Sequence, residues 1–588
     1  MKQFLKFFFA SFLGTIASLI SLFFLFFIIM LGFVSMISTD ETVSISPNTV
    51  LELEFDKPVP ERTQFDDINF SSFLAVKIGK NLGLNDVISN IERAKNDSNI
   101  VAIYMQMDNF NAGGYATIDQ IRNALIDFKN SKKPIIAHGN YFSQAAYYLA
   151  SVADTIYLTP TGDLDFKGIN TQLAFFKKTL DKLEIEAQII KVGKFKSAVE
   201  PFIAEEMSEA NREQLSAFVG SINNYLLNKI SVARKIDEKE IHNISNNMLV
   251  QSPKDAVDYK LVDKLGYEVD VLGVLKSISH RNSPKFVSLK KFSKTENQFE
   301  LNNSDNRIAV IYAIGEINGG EGSESEIGKD NIVEAIRKAR KQENIKAIVM
   351  RVDSPGGSAL ISDLIWKEVE LAKTEKPFVV SYGRYAASGG YYISCGADKI
   401  IAEPTTLTGS IGVFSIIPNM QKFFNNKLGV TFDGVNSGKF SDFASGLRPL
   451  RMDEKNILQN QVNFVYSTFV NNVAAGRKMT FEEVNEIGQG RIWSGLQALE
   501  IGLVDEIGGL NYAIEQAKNL AKIDDFKIVE YPAIKEPFAE LMETLQEDMT
   551  VKMFSDEFDD LFNHYSTALK MVKTKEIQAR LPFEIEIN

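Results

Sequence analysis

Three short glycine-rich stretches in the second half of the chain hold residue types suited to acyl chemistry. Asp353-Ser354-Pro355-Gly356-Gly357-Ser358 follows a β-branched run at 346–352 and precedes a helical pattern. Paired glycines there leave backbone N–H groups unobstructed beside a helix start, where a developing oxyanion can be held, although Gly-Gly after a strand also serves as a plain tight turn. Ala387-Ser388-Gly389-Gly390 reads as small residues that permit close helix packing. In Leu407-Thr408-Gly409-Ser410-Ile411-Gly412 a serine stands between glycines that let a substrate backbone approach; taken alone, it is more simply a Thr-Gly-Ser turn. A serine nucleophile needs an adjacent base. None of the four histidines, at 138, 242, 280 and 564, lies beside a serine motif of the second half, and His138 falls where that half has Tyr382. The single cysteine, Cys395, reads as a small core residue in YYISCGAD, and one cysteine with four histidines leaves little material for a metal site.

The balance shifts because the chain contains one domain twice. Residues 99–108 (NIVAIYMQMD) match 344–353 (NIKAIVMRVD) at six of ten positions with an offset of 245. Further on, 137–160 parallels 381–404, sharing Gly139/Gly383, Tyr147/Tyr391, Asp154/Asp398 and Pro160/Pro404. Where the second copy has Gly409-Ser410, the first has Asp165-Phe166, and phenylalanine cannot be a nucleophile. Conversely Lys196, in the run GKFKSAVEPF at 193–202, falls opposite Ser441, so the second copy lacks that lysine. Lysine acts as a base only when neutral, which means lowering its pKa from about 10.4 to about 7 or 8 by burial or a cationic neighbour. Phe195, Ala198 and Val199 are compatible with burial. The residues alone leave Lys196 open between a base and a solvated surface lysine, which is the reading for Lys194.

Taken together, GKFKSAVEPF, RVDSPGGS, ASGGYYIS and LTGSIGVF, in that order and in those halves, resemble the signal peptide peptidase A (protease IV) family in its long, tandem-repeat, membrane-anchored form. The similarity runs from the N-terminal segment to about residue 530. It implies the Clp-protease/crotonase fold group and peptide cleavage by a Ser/Lys dyad, with Ser410 as nucleophile and Lys196 as general base. It implies an oxyanion donor at Gly356 or Gly357. It also implies a hydroxyl near the lysine amine from the stretch matching Gly434-Val435-Asn436-Ser437, with Ser437 the expected residue. Cleaved signal peptides as substrates, an apolar S1 pocket and a homotetramer follow from the same resemblance, which calls for no cofactor or metal.

These residues must be positioned by repeated strand, helix, strand units, as in 307–313 (RIAVIYA), 331–342, 346–352, 360–373 and 377–382, a pattern of parallel βαβ units. A long amphipathic helix closes each copy, with Leu215, Phe218, Val219, Ile222 and Leu226 in the first and Leu458, Val462, Val465 and Phe469 in the second. The expected fold class is α/β, two tandem Clp-protease/crotonase-like domains after an N-terminal transmembrane helix. The expected divisions are a cytoplasmic stub and anchor at 1–38, a first repeat at 44–293 supplying the lysine, a linker at 294–306, a second repeat at 307–533 supplying the serine, and a tail at 534–588.

From residue 7 to residue 37 there are 31 residues without a charge, 24 of them apolar and nine of them Phe. At about 1.5 Å per residue that run exceeds the roughly 30 Å hydrocarbon core, and it is too long for the apolar part of a cleaved signal peptide. Lys2 and Lys6 before it, with Asp40 and Glu41 after it, orient a single-pass inner-membrane protein with a cytoplasmic N-terminus and a periplasmic catalytic body. With 64 Lys+Arg against 76 Asp+Glu, a net charge of −12 argues against nucleic acid as a partner. In the tail, 541–571 looks helical and ARLPFEIEIN looks extended and apolar; it either packs on the catalytic body or occupies the substrate groove of its own or a neighbouring subunit. The expected function is a membrane-anchored serine endopeptidase that degrades cleaved signal peptides at the outer face of the inner membrane. A catalytically inactive anchored scaffold and a crotonase-like acyl-CoA enzyme are the alternatives; external placement takes the second away from CoA.

Overall fold

A computed structural model describes residues 2–37, 43–71, 74–295, 304–323, 325–533 and 577–581. The helical reading of 541–571 lies outside the described residues. The N-terminal apolar run forms one helix, Lys2–Ile37. Its segment Lys6–Leu25 has a mean hydropathy of 2.1, and none of it is buried against the rest of the chain. With no protein core to enter, those phenylalanines and leucines are suited to hydrocarbon, and 20 residues at about 1.5 Å each reach about 30 Å.

Each repeat folds around a mainly parallel sheet. In the first, the strand order is Lys264–Leu265, Thr155–Leu164, Ile135–Phe142, Ile100–Gln106, Thr49–Glu54, Lys285–Ser288, with every pairing parallel. In the second it is Ile492–Ser494, Leu407–Gly409, Phe378–Ala387, Ile345–Ser354, Arg307–Ile314, Lys527–Tyr531, parallel except for the first pair. Every residue of Ile345–Ser354 apart from Lys346 is buried, as expected of a strand covered on both faces. The same polar fastenings recur in both copies. Asp154 accepts from the Ile135 amide and Asp398 from the Phe378 amide, each at 2.9 Å. The Tyr147 hydroxyl donates to Leu261 O at 2.7 Å and the Tyr391 hydroxyl to Leu503 O at 2.9 Å. Helices Glu209–Arg234 and Met452–Arg477, both of 26 residues, end in arginines that pair with Asp263 and Asp505 respectively.

A third sheet joins the copies. Its order is Gly322–Ser323, Glu326–Gly328, Glu316–Asn318, Gly356–Ser358, Gln578–Arg580, Val413–Asn419, Glu186–Val192. The last two are antiparallel, with Val192 opposite Val413 and Glu186 opposite Asn419. Residues just after Val192 and just before Val413 therefore emerge at the same end of the pair. That register brings the lysine loop of one copy against the serine turn of the other.

Away from this sheet, the copies are fastened by a buried ion pair, Arg351 Nε to Glu61 Oε2 at 2.8 Å, with the two side chains 0% and 5% exposed. Removing one partner leaves the other charge buried and unpaired, which costs more than an exposed pair returns. Glu61→Ala is expected to lower stability by about 3–5 kcal/mol, read as a fall in the urea midpoint at unchanged m-value.

Candidate active site

Lys196 and Ser410, on different copies, meet where those two strands end. Lys196 Nζ lies 3.1 Å from Ser410 Oγ, 3.3 Å from Ser410 O and 2.9 Å from Ser388 Oγ. Lys196 and Ser410 are each 1% exposed. A neutral amine has two N–H donors and one lone pair. In this geometry the donors serve Ser388 Oγ and Ser410 O, and the lone pair accepts the Ser410 hydroxyl proton. The Ser388 hydroxyl in turn donates to Gly412 O at 3.4 Å. Ser388 and Ser410 have φ of +55° and +51°, backbone values that side-chain-bearing residues adopt at a cost, typical of sites where strain aims a functional group.

Burial alone lowers the Lys196 pKa from 10.5 to about 7. The enclosure is built from backbone as much as from side chains. A methyl placed on Gly490, whose φ is +79°, would lie 2.6 Å from Lys196 Cβ, and one on Gly412 would lie 3.2 Å from Lys196 Cδ. The Phe195 amide donates to Gln489 O at 2.8 Å, tying the lysine loop to the second copy. Gln214, from the long helix of the first copy, braces both sides. Its Nε2 donates to Phe195 O and Ser197 Oγ at 3.0 Å each, and its Oε1 accepts from the Ile492 amide at 3.1 Å. Beside Ser410, a small cavity is lined by the apolar Phe195, Ala198, Leu215, Ile492 and Leu581 and by the polar Ser197, Asn211 and Gln214.

The two glycines differ. Gly356 has φ +99°, and its N–H donates to Ser354 Oγ at 3.2 Å, so that amide is taken within its own turn. Gly357 pairs across the groove with residue 579. Ser437 is not near the lysine. It lies on an exposed segment with its hydroxyl 3.5 Å from that of Ser441, because the stretch at 429–441 is solvent-facing and carries no strand that would turn it inward. The hydroxyl beside the amine belongs to Ser388, which sequence reading took as a packing residue. A signal for it was present: Ser388 is matched in the first copy by Gln144, the same asymmetry that marks Ser410 against Phe166.

At the corresponding place in the first copy, Phe166 is buried against Tyr147 with ring centroids 5.6 Å apart, and Gln144 Oε1 accepts from the Gly168 amide at 2.9 Å. Ser441 is exposed, as is Lys194. His138 is buried with Nε2 3.4 Å from Thr159 Oγ1, and buried Cys395 donates to Tyr392 O at 3.2 Å; neither touches the dyad.

A profile of Peptidase family S49 matches residues 127–280 and again 370–524. The chain is 36% identical over 469 residues to Protease 4 of Salmonella typhi, covering 76% of this chain and 74% of the relative. It is 35% identical over 462 residues to Protease 4 of Haemophilus influenzae, covering 75% of each. To the chloroplastic serine protease SPPA of Arabidopsis thaliana it is 30% identical over 484 residues, 81% of this chain and 71% of the relative.

The depressed lysine pKa has a signature in stability. Between pH 7 and 10.5 the unfolded chain carries a proton on Lys196 that the folded chain does not, so stability rises with pH across that window. The full rise is on the order of 5 kcal/mol. Lys196→Met is expected to remove this component, making the variant more stable than the wild type near pH 7 and bringing the two together near pH 10, as measured by urea unfolding at each pH.

Proposed function

This chain belongs to peptidase family S49, as a serine peptidase, and we propose that it cuts peptides with Ser410 as nucleophile and Lys196 as general base. The observation that carries the reading is the 3.1 Å approach of a buried amine to a buried serine hydroxyl. Ser410 Oγ attacks the peptide carbonyl while its proton passes to Lys196 Nζ. The Gly357 amide receives the oxyanion, replacing water with a fixed donor at the moment charge develops. Lys196 then gives the proton to the leaving amine, and an acyl-enzyme remains on Ser410. Water enters, Lys196 takes its proton, and collapse of the second tetrahedral intermediate frees the serine. Throughout, the Ser388 hydroxyl holds the amine in line, a positioning role. Because the base and the nucleophile come from different copies, each chain has one site.

The substrate reading is that the enzyme degrades cleaved signal peptides at the outer face of the inner membrane. Its support is the apolar helix Lys2–Ile37, which would hold the enzyme where such remnants arise, and the apolar lining contributed by Phe195, Ala198, Leu215 and Ile492. The basic side of that helix faces the cytoplasm in this reading, and the homotetramer implied by the family resemblance belongs to it.

Ser410→Ala and Lys196→Ala are each expected to lose about 10³-fold or more in kcat/KM on a peptide substrate while keeping the wild-type circular dichroism spectrum. Retained turnover in either overturns the assignment. Since Lys196 serves only when neutral, wild-type kcat/KM is expected to rise with pH through an apparent pKa of about 7. Cells in which Ser410→Ala replaces the native enzyme are expected to accumulate signal-peptide remnants in their membrane fraction by mass spectrometry; unchanged levels reject the substrate reading.

A further inference from the structure

The described part of the tail, residues 577–581, lies as a strand in the groove beside Ser410. Gln578–Arg580 runs antiparallel to Gly356–Ser358 on one side, and Gln578 pairs with Phe414, on Val413–Asn419, on the other. Just past the strand ends, the Ala359 amide donates to Ile577 O at 3.1 Å and the Leu581 amide donates to Pro355 O at 2.8 Å. Antiparallel strands exchange hydrogen bonds at alternate residue pairs. With Pro355 opposite Leu581 and Ala359 opposite Ile577 both bonded, the bonded pair between them is Gly357 with Ala579. The Gly357 amide therefore faces the Ala579 carbonyl, where the reaction above needs a peptide carbonyl.

The side chains fit the same frame. Ala579 is fully buried, and Leu581, two residues on and on the same face, is 5% exposed in the cavity that includes Lys196 and Ser410. Arg580 points the other way and pairs with Glu316. A strand held by backbone bonds between two others, with alternate side chains in pockets, is how extended peptides are captured at sheet edges.

We propose that residues 577–581 are an intrachain pseudo-substrate that occupies the peptide groove and competes with incoming peptides. It also marks the preferred frame of a true substrate: a small side chain opposite Gly357 and an aliphatic one two residues later. The proposal rests on the groove beside Ser410 being the peptide site, and its test is a binding measurement that needs no turnover.

The test uses the full chain carrying Ser410→Ala and a fluorescein-labelled peptide of sequence Ile-Gln-Ala-Arg-Leu, followed by anisotropy. Two tail variants are made in that background: Arg580→Glu, which sets like charges against Glu316, and a chain ending at residue 576. If the tail fills the groove nine-tenths of the time, freeing it raises the apparent affinity about tenfold. Tightening in either variant, with a matching fall in KM and unchanged kcat when Ser410 is restored, supports the proposal. Unchanged affinity in the Arg580→Glu protein and in a folded truncated protein overturns it; where the truncated chain does not fold, Arg580→Glu decides. A loss of kcat at unchanged KM also overturns it, because it marks the strand as part of the catalytic scaffold. Failure of the Ser410 assignment would appear separately, as turnover retained by Ser410→Ala.

Discussion

The site depends on keeping one lysine amine out of water with no carboxylate among the described residues to compensate it. An ammonium ion in that position is expensive, and the protein meets the cost by letting the proton go, which leaves the neutral amine that the proposed role as a base requires. Burial is what lowers the Lys196 pKa. Everything around the amine serves that exclusion. The Gly490 and Gly412 backbones close in where side chains would not fit, and Gln214 pins the loop that carries the lysine to the strand that closes over it. Hydroxyl and carbonyl groups satisfy the amine's hydrogen bonds without adding a charge that would draw the proton back.

Such an enclosure could not be made by either copy alone. The loop after Val192 supplies the lysine and the turn before Val413 supplies the serine, and the antiparallel register of their strands sets the two side by side. The pairing is fixed to the residue because a one-residue slip would turn every side chain of Glu186–Val192 to the opposite face. The third sheet thus acts as the alignment device, while the two parallel sheets are the bodies it aligns. Duplication made that division possible: at the equivalent place in the first copy, Phe166 fills with packing the position that Ser410 takes in the second.

Much of this was legible in the sequence for definite reasons. Parallel strands buried on both faces read as short runs dense in apolar and β-branched residues, so residues 346–352 stand out despite Lys346 and Arg351. The doubled domain allowed each copy to serve as a control for the other, which isolated Ser410 and Lys196 by what their counterparts lack. Ser437 failed for the complementary reason. Its segment has no apolar periodicity, so only resemblance placed it, and the stretch faces solvent instead. Ser388 was passed over because small residues after a strand usually serve packing, and its backbone twist is invisible in the letters. The preference for Gly357 over Gly356 as the proposed oxyanion donor likewise rests on the Gly356 amide donating to Ser354 Oγ, a turn geometry that composition does not encode.

A dyad divided between distant parts of a chain also orders events in time. Synthesis delivers the lysine loop first and the serine turn more than two hundred residues later, and domains fold largely in the order they emerge. Until Val413–Asn419 docks on Glu186–Val192, the first copy holds a lysine with no sealed cavity, hence charged and inert, and no nucleophile. With Ser410 and Lys196 in the proposed roles, hydrolytic capacity is therefore acquired late, after both bodies have formed and joined. On the proposed assignment, a peptidase site is thereby kept from its own nascent chain during the interval when that chain is itself unfolded peptide.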